Sequence, residues 1–239
     1  MTSSKVNPIE ARIENAREEL AGVRNFPDEK FISIIKELGF KCELCARCCK
    51  KDFNDHVFLL DADVTTIRGI DPTVLVPAPY YDFCDQNGRF YVSGYALKTK
   101  SDGSCVFLEN GRCKIYDRRP LICRVYPYML HREADENGCV DWRQISGLNE
   151  HGSYYCAISD SECKAIARET KAYEEAYLLQ IIGFLKALQV QFQKAGLKHV
   201  QRIYDRKMRS FLKGECELEV FVYMKGRFEK QRVFRPAFL

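Results

Sequence analysis

Four cysteines crowd into eight positions of KCELCARCCK, residues 41–50: Cys42, Cys45, Cys48 and Cys49. Such density has three readings, namely disulfides, an inert buried cluster, or thiolates aimed at a metal. Length bears on the choice. A chain of 239 residues with 46% hydrophobic content can build one full core or two small ones, so it needs no metal merely to fold. The start, MTSSKVNPIEARIENAREEL, is polar and charged, and no apolar run approaches the roughly 18 residues that a membrane span requires. The expectation is a soluble, cytoplasmic protein with no membrane association. Thiols stay reduced in that compartment, so twelve cysteines at clustered spacings read as metal-binding or catalytic before they read as a disulfide framework.

The remaining pattern predicts an α+β fold. Ile9, Ile13 and Leu20, then Phe31, Ile34, Ile35 and Leu38 after Pro27, give two N-terminal helices, and Gly39 stops the second. Short strands and loops follow as far as Cys156. Strands are expected over 56–60, 89–99 and 104–108, with a short helix over 61–70 and turns at Asn87-Gly88, Asp102-Gly103 and Asn110-Gly111. Ser159-x-x-Glu162 is a capping box that opens a long helix running through Leu178, Leu185 and Phe192. Gly196 separates it from a second helix over 197–212. Leu218, Val220, Val222 and Met224 then alternate as a strand, and Lys225-Gly226 turns the chain into a last strand over 228–234. The expected organisation is one integrated domain over 1–239, with a metal-binding cysteine region at 40–160 and a helical and β-hairpin extension at 161–239.

Eleven of the twelve cysteines lie between positions 42 and 163. A second dense group is CVFLENGRCKIYDRRPLICRVYP, with Cys105, Cys113 and Cys123. A hairpin at Asn110-Gly111 would bring Cys105 and Cys113 together, and Pro120 would steer Cys123 back toward them. Thiolates select zinc, copper(I) or iron–sulfur clusters over magnesium or calcium, because a soft donor matches a soft or borderline ion. Zinc ribbons show two separated Cys-x-x-Cys pairs. Cys42-x-x-Cys45-x-x-Cys48 instead has the spacing that wraps a [4Fe–4S] cube at three corners and takes a fourth ligand from elsewhere. An iron–sulfur cluster is therefore favoured, with zinc as the alternative. Adjacent residues of an extended chain point to opposite sides, so Cys48 and Cys49 do not serve one small ion equally well, and one of the pair serves a second metal or simply packs. Arg47, Lys50, Lys51, Arg112, Lys114, Arg118, Arg119 and Arg124 flank these thiols and would help to neutralise a thiolate centre.

CELCARCC followed by GSCVFLENGRCKIYDRRPLICRVYPY resembles the YkgJ-type cysteine-cluster family, whose signature is C-x-x-C-x-x-C-C and which is described as zinc- or iron-chelating. The resemblance covers roughly residues 40 to 160. It implies a metal role for Cys42, Cys45, Cys48, Cys49, Cys105, Cys113 and Cys123, and for a later cysteine best placed at Cys156. It also implies that Arg119-Pro120, Arg124 and Tyr126-Pro127 belong to the signature. Family members often follow the last cysteine with glycine, where this chain has Cys156-Ala157-Ile158. A related branch is similar to flagellin lysine N-methylases, yet no methyl-donor loop is visible here. The resemblance implies a metal role and no particular reaction.

Cys84 and Cys216 read as packed thiols, Cys139 and Cys163 are left open, and His131 and His151 are secondary ligand candidates. A net charge of +4 does not mark a dedicated nucleic-acid binder. Residues 194–235 do carry twelve Lys or Arg against five Asp or Glu, which reads first as a solvated face. Two functions remain. The first is a metal protein in electron transfer, metal handling or a redox reaction with an unknown protein or redox partner. The second is a structural-zinc module that presents a surface to RNA or a protein. No nucleotide loop, nucleophile elbow or paired-carboxylate motif names a substrate. The sharpest expectation is that Cys42, Cys45 and Cys48 share a centre with at least one of Cys105, Cys113, Cys123 and Cys156.

Overall fold

Pro8 is the first helical residue, where a missing N–H breaks no helix bond. From it α1 runs over Pro8–Asn25 in the computed structural model, which describes residues 8–128, 131–134, 140–143 and 149–234. Ile9, Ile13, Ala16, Leu20 and Val23 recur at three- and four-residue steps and form its buried face. α2 (Asp28–Leu38) ends at Gly39, which is left-handed at φ +49° and donates its N–H to Ile35 O at 2.9 Å.

The chain then passes through β1 (Phe58–Leu59), α3 (Asp61–Ile70), β2 (Leu75–Pro77), β3 (Phe83–Cys84), β4 (Phe90–Val92) and β5 (Tyr95–Leu97). The hairpin of β6 (Leu108–Glu109) and β7 (Arg112–Cys113), the short helix α4 (Leu121–Val125) and the hairpin of β8 (His131–Ala134) and β9 (Val140–Arg143) follow. Last come α5 (Asp160–Ala195), α6 (Gln201–Leu212), β10 (Leu218–Met224) and β11 (Arg227–Val233). The α+β architecture is thus the expected one: N-terminal helices, a loop-rich centre, a long helix and a terminal hairpin.

α5 is the scaffold. Its capping box forms as the sequence predicts, with Glu162 N–H donating to Ser159 Oγ at 3.3 Å and Ser159 N–H to Glu162 Oε2 at 3.1 Å. Its thirty-six residues make a rod about 54 Å long. Cys163 and Ala167 meet Phe31 and Ile35 of α2, Leu178 and Ile182 meet Ala16, Leu20 and Val23 of α1, and Phe184, Leu185 and Leu188 meet Ile9 and Ile13.

Two small sheets lie beside this rod. One has the order β1-β5-β2 and the other β11-β10-β4-β3. All pairs are antiparallel except β10 with β4, where Val220 lies opposite Phe90 and Val222 opposite Val92. Both faces of β10 are covered: Leu218, Val220, Val222 and Met224 enter the largest core, while Phe221 and Tyr223 face Phe184 and Phe228.

Three sequence expectations change. The strand expected over 89–99 is two strands in different sheets, broken at Ser93-Gly94. A Cβ on Gly94 would stand 2.7 Å from Gln180 Nε2 and 2.9 Å from the Phe58 ring, so glycine allows this close approach. Gln180, buried on α5, secures the break: Nε2 donates to Ser93 O at 3.1 Å, and Oε1 accepts from Asp61 N–H at 2.9 Å. The strand expected over 104–108 shrinks to isolated bridges before β6. α6 starts at Gln201 rather than 197, because Lys198 N–H and Val200 N–H are taken by Gln86 and by Cys84 O.

Gly39 offers a direct test of the junction between α2 and the cysteine loop. A Cβ there would lie 2.2 Å from Cys156 O and 2.7 Å from Cys156 N, on a backbone already at positive φ. Gly39→Ala is expected to destabilise the chain by about 1–3 kcal/mol in urea denaturation. A change within about 0.5 kcal/mol would show that the Cys156 segment yields at no cost.

Candidate metal centre

The cysteine loop is held at two ends by two different segments. At its start, Lys41 bridges Ser153, with Lys41 N–H donating to Ser153 O at 2.7 Å and Ser153 N–H to Lys41 O at 3.0 Å. Ser153 Oγ donates to the Glu43 carboxylate, and the Arg47 guanidinium donates to Glu150 O. Between these ties Leu44 and Ala46 are both left-handed, at φ 56° and 59°, and Leu44 N–H points at Cys42 Sγ from 3.4 Å. Cys42 and Cys45 are exposed.

A 3₁₀ turn over Arg47–Cys49 then changes the loop's partner. Cys105 N–H donates to Cys49 O at 2.7 Å, Lys50 bridges Ser104, and Lys51 N–H donates to Gly103 O at 2.8 Å. Cys48 and Cys49 do not diverge as neighbours on an extended chain would. The turn is helical, and Cys48 is the largest influence raising the Cys49 thiol.

The second group converges as the turn chemistry predicts. Asn110 and Gly111 are both left-handed, at φ 50° and 74°, and Leu108 pairs with Cys113 across the hairpin. Leu108 N–H returns to Cys105 O at 2.9 Å, which folds Cys105 back onto the same hairpin. Cys123 arrives on α4 after Pro120.

Asp63 fixes that arrival. Its Oδ2 accepts from Leu60 N–H at 3.1 Å, capping α3, and its Oδ1 accepts from Leu121 N–H at 3.1 Å, the first amide of α4 and 58 positions away. Pro120 provides no side-chain cap for α4, so a buried carboxylate of another helix fills that role. Burial pushes the Asp63 carboxyl up, against the pull of those two amides.

Four thiols share one electrostatic neighbourhood. Burial pushes Cys123 far above the usual thiol range, and Cys105, Cys49 and Cys113 add to the rise, with Asp63 adding last. Cys105 is pushed up to about 11, first by burial and then by Cys49 and Cys113, against the backbone Phe107 N–H and Lys100. Cys113 rises by burial and Cys49, while the Ile115 amide and Arg119 oppose it. Cys49 itself is raised first by its hydrogen bond with Cys48 and then by burial. Each of Cys49, Cys105, Cys113 and Cys123 thus belongs to one group, drawn from three stretches of chain. By its chemistry this donor set fits zinc or iron: soft sulfurs, partly withdrawn from water, and disfavoured as thiolates until a cation joins them. Among the described residues no group of three or more His, Cys, Asp or Glu side chains is placed so as to hold a metal ion as it stands.

The flanking cations take different roles. Arg119 stacks on Tyr116, 3.9 Å from the ring centroid, and acts on Cys113. Lys114 pairs with Glu109 at 2.6 Å and Arg124 with Glu169, so both are engaged elsewhere. Lys100, outside the expected set, acts on Cys105.

Other candidates lie apart from this group. Cys156 sits beside Gly39, its N–H donating to Gly39 O at 2.9 Å, while its thiol turns to Tyr154 O at 3.8 Å. His151 is buried beside Phe40 and Phe53, and its Nε2 hydrogen-bonds Tyr126 Oη at 2.8 Å. His131 lies on β8, and Cys139 falls outside the described residues. Cys84 is fully buried in the main core, and burial and Asp85 push its thiol up to about 12. Cys163 is fully buried among Phe31, Ile35 and Tyr128, and Cys216 turns to Lys207 O at 3.9 Å.

Residues 41–144 match the CxxCxxCC family model, whose description is "Putative zinc- or iron-chelating domain". An uncharacterized protein of Methanocaldococcus jannaschii is 31% identical over 104 residues, which cover 42% of this chain and 51% of that protein. The chain therefore spans about half the length of this relative. No solved structure matches the chain.

The Asp63 tie makes a prediction of its own. Asp63→Ala leaves two buried amides without an acceptor, which is expected to cost about 1–3 kcal/mol in chemical denaturation. Release of α4 should also raise the rate at which an aromatic disulfide reagent labels Cys123, by about tenfold in the native state. An unchanged labelling rate in a destabilised variant would make Asp63 a cap of α3 alone.

Proposed function

We propose that this chain is a metal-binding protein whose centre is held by Cys49, Cys105, Cys113 and Cys123, the metal being iron in a [4Fe–4S] cluster or zinc. What supports the reading is that Cys49, Cys105 and Cys113 all act electrostatically on the buried Cys123 thiol, and that the Cys105 N–H to Cys49 O hydrogen bond joins two of the stretches that carry them. The match to a zinc- or iron-chelating domain supports it.

This chain's own residues do three things toward such a group. The β6–β7 hairpin holds Cys105 and Cys113 together, Asp63 sets the entry of α4 and hence Cys123, and Arg119 and Lys100 bring positive charge to a set that becomes anionic on ligation. A bound iron–sulfur cluster would supply an electron-carrying group, and zinc a closed structural clamp. Every cysteine among the described residues is free, which supports a reducing, cytoplasmic setting. No helix among the described residues is long and apolar enough to cross a membrane.

The rival surface for RNA gains little from the terminal hairpin. On β11, Lys230 pairs with Glu219 at 2.5 Å and Arg232 with Glu217 at 3.4 Å, so these cations are spent on cross-strand glutamates. Electron transfer or metal handling is the class of role we assign.

Metal analysis after anaerobic purification tests this. Brown protein with about four irons and four sulfides per chain would identify a cluster, and a colourless protein with stoichiometric zinc would identify zinc. Cys113→Ser and Cys123→Ser are each expected to lower metal affinity by about 100-fold or more, while Cys84→Ser leaves it unchanged. Full occupancy in Cys123→Ser would remove the proposed centre.

A further inference from the structure

The basic C-terminal segment divides into two kinds of surface. On β11 Lys230 and Arg232 close on cross-strand glutamates, whereas the cations of α6 form a row of their own. Arg202, Arg206, Arg209 and the capping Lys213 recur at steps of four, three and four. They therefore share about 60° of the helix circumference and span about 16 Å along its axis. All four are exposed. The opposite side of α6 carries Ile203, Tyr204, Met208 and Phe211, which pack on the main core, so the row points away from the protein.

The row is also unspent. Other arginines of the scaffold find carboxylates: Arg12 meets Asp82 at 2.6 Å, Arg89 meets Glu219 at 3.4 Å, and Arg68 and Arg124 are held by Glu229 and Glu169. Among the described residues Arg202, Arg206 and Arg209 close on no carboxylate. Arg209 donates to Asp205 O of its own helix at 3.2 Å, and Lys213 reaches Glu215 only at 4.0 Å. The acid within the helix, Asp205, is turned to Gln201, whose Nε2 donates to it at 2.8 Å.

Magnitude and shape select the occupant. Exposed ion pairs with a protein contribute little each, and the row itself has no apolar residue to bury. A membrane would need the apolar side of α6, which the core already holds. On a nucleic acid, each neutralised phosphate releases condensed counterions, so a purely cationic row is enough. A DNA duplex presents about five phosphates per strand over this length, against four cations. Single strands are held on outward aromatic platforms, but here Tyr204 packs 5.2 Å from the Phe90 ring and Phe211 lies on the main core. The major groove of B-form DNA is about 12 Å wide and admits an α-helix, whereas the narrow major groove of A-form RNA does not. We infer that α6 is a docking face for double-stranded DNA, its basic row lying along the phosphates of one strand at the edge of the major groove. The local row carries this binding, and the modest net charge of the chain does not.

Fluorescence anisotropy of a labelled mixed-sequence DNA duplex, titrated with the full chain from about 50 to about 200 mM salt, tests the inference. Binding should fall in the range of about 10⁻⁴ to 10⁻⁶ M at physiological salt, and log affinity should fall with log salt at a slope of about −3.6 for four phosphates. The variant Arg202→Gln/Arg206→Gln/Arg209→Gln should bring the slope to about −0.9 and weaken binding by about tenfold or more at low salt, with an unchanged circular dichroism spectrum. Where the triple variant fails to fold, Arg206→Gln alone should reduce the slope by about 0.9. Arg227→Gln/Lys230→Gln/Arg232→Gln removes the same charge from β11 and should change affinity by less than about twofold. Equal losses in the two triple variants would reduce the effect to net charge and overturn the inference, as would an unchanged slope in the α6 variants or no binding at about 50 mM salt. Unlabelled duplex RNA or poly-L-glutamate that competes as well as unlabelled duplex DNA would overturn the assignment of the partner.

Discussion

The hydrogen bond from the Cys105 amide to the Cys49 carbonyl, 2.7 Å long, is where two cysteine-bearing stretches become one structure. Around it the Lys50–Ser104 bridge and the Lys51 amide on Gly103 O make a short ladder. A ladder of this length is marginal alone. It persists because each side is anchored in something larger: Cys105 and Cys113 pack on the main core, and the stretch preceding Cys42 leaves α2 at a left-handed glycine pressed against Cys156. Backbone contacts hold the Cys49 and Cys105 stretches together. A metal bound there would have less chain to order, and would be coupled to the fold only locally.

That local coupling is possible because the cores are built elsewhere. The largest core gathers β1, α3, β4, β5 and β10, and three smaller ones run along α5. The parallel pairing of β10 with β4 brings the C-terminal hairpin into the sheet that leads toward the cysteines. Gln180 is the clearest sign of this linkage. A single amide on α5 serves backbone groups of Leu59, Asp61 and Ser93, three points on the path between the cysteine loop and the second thiol group. Burying a glutamine is costly unless its bonds are made, and here both ends are used.

Much of this was legible in the residues, and for a common reason: the signals that read correctly act over a few positions. Ser159 with Glu162, Asn110 with Gly111, Gly39 and Gly196 each fix a local backbone shape, and each holds in the structure. Most of what the residues did not show is long-range. Ser93-Gly94 looks like the middle of one strand until Gln180, 87 positions away from Ser93, claims the carbonyl there. Asp63 reads as an ordinary first-turn acid, and nothing nearby shows that its second oxygen caps α4, 58 positions on. Cys49 was ambiguous because the argument from alternation assumes an extended chain, and the 3₁₀ turn over Arg47–Cys49 removes that assumption.

Charge bears on how Asp63 sits near the thiol of Cys123, on which it acts. Its carboxyl accepts two amides and is screened by Arg124, while burial raises it, so most of its charge is compensated locally and it ranks last among the groups that raise Cys123. Arg124 in turn is held by Glu169 of α5, which leaves Arg119 and Lys100 as the cations that act on the sulfurs themselves. The basic residues around the signature are therefore not one neutralising cloud. Some brace the scaffold through carboxylates and a smaller set faces the thiols, which is what a partly buried anionic centre needs: compensation placed at the ligands, with the remaining charge paired off so that it does not compete.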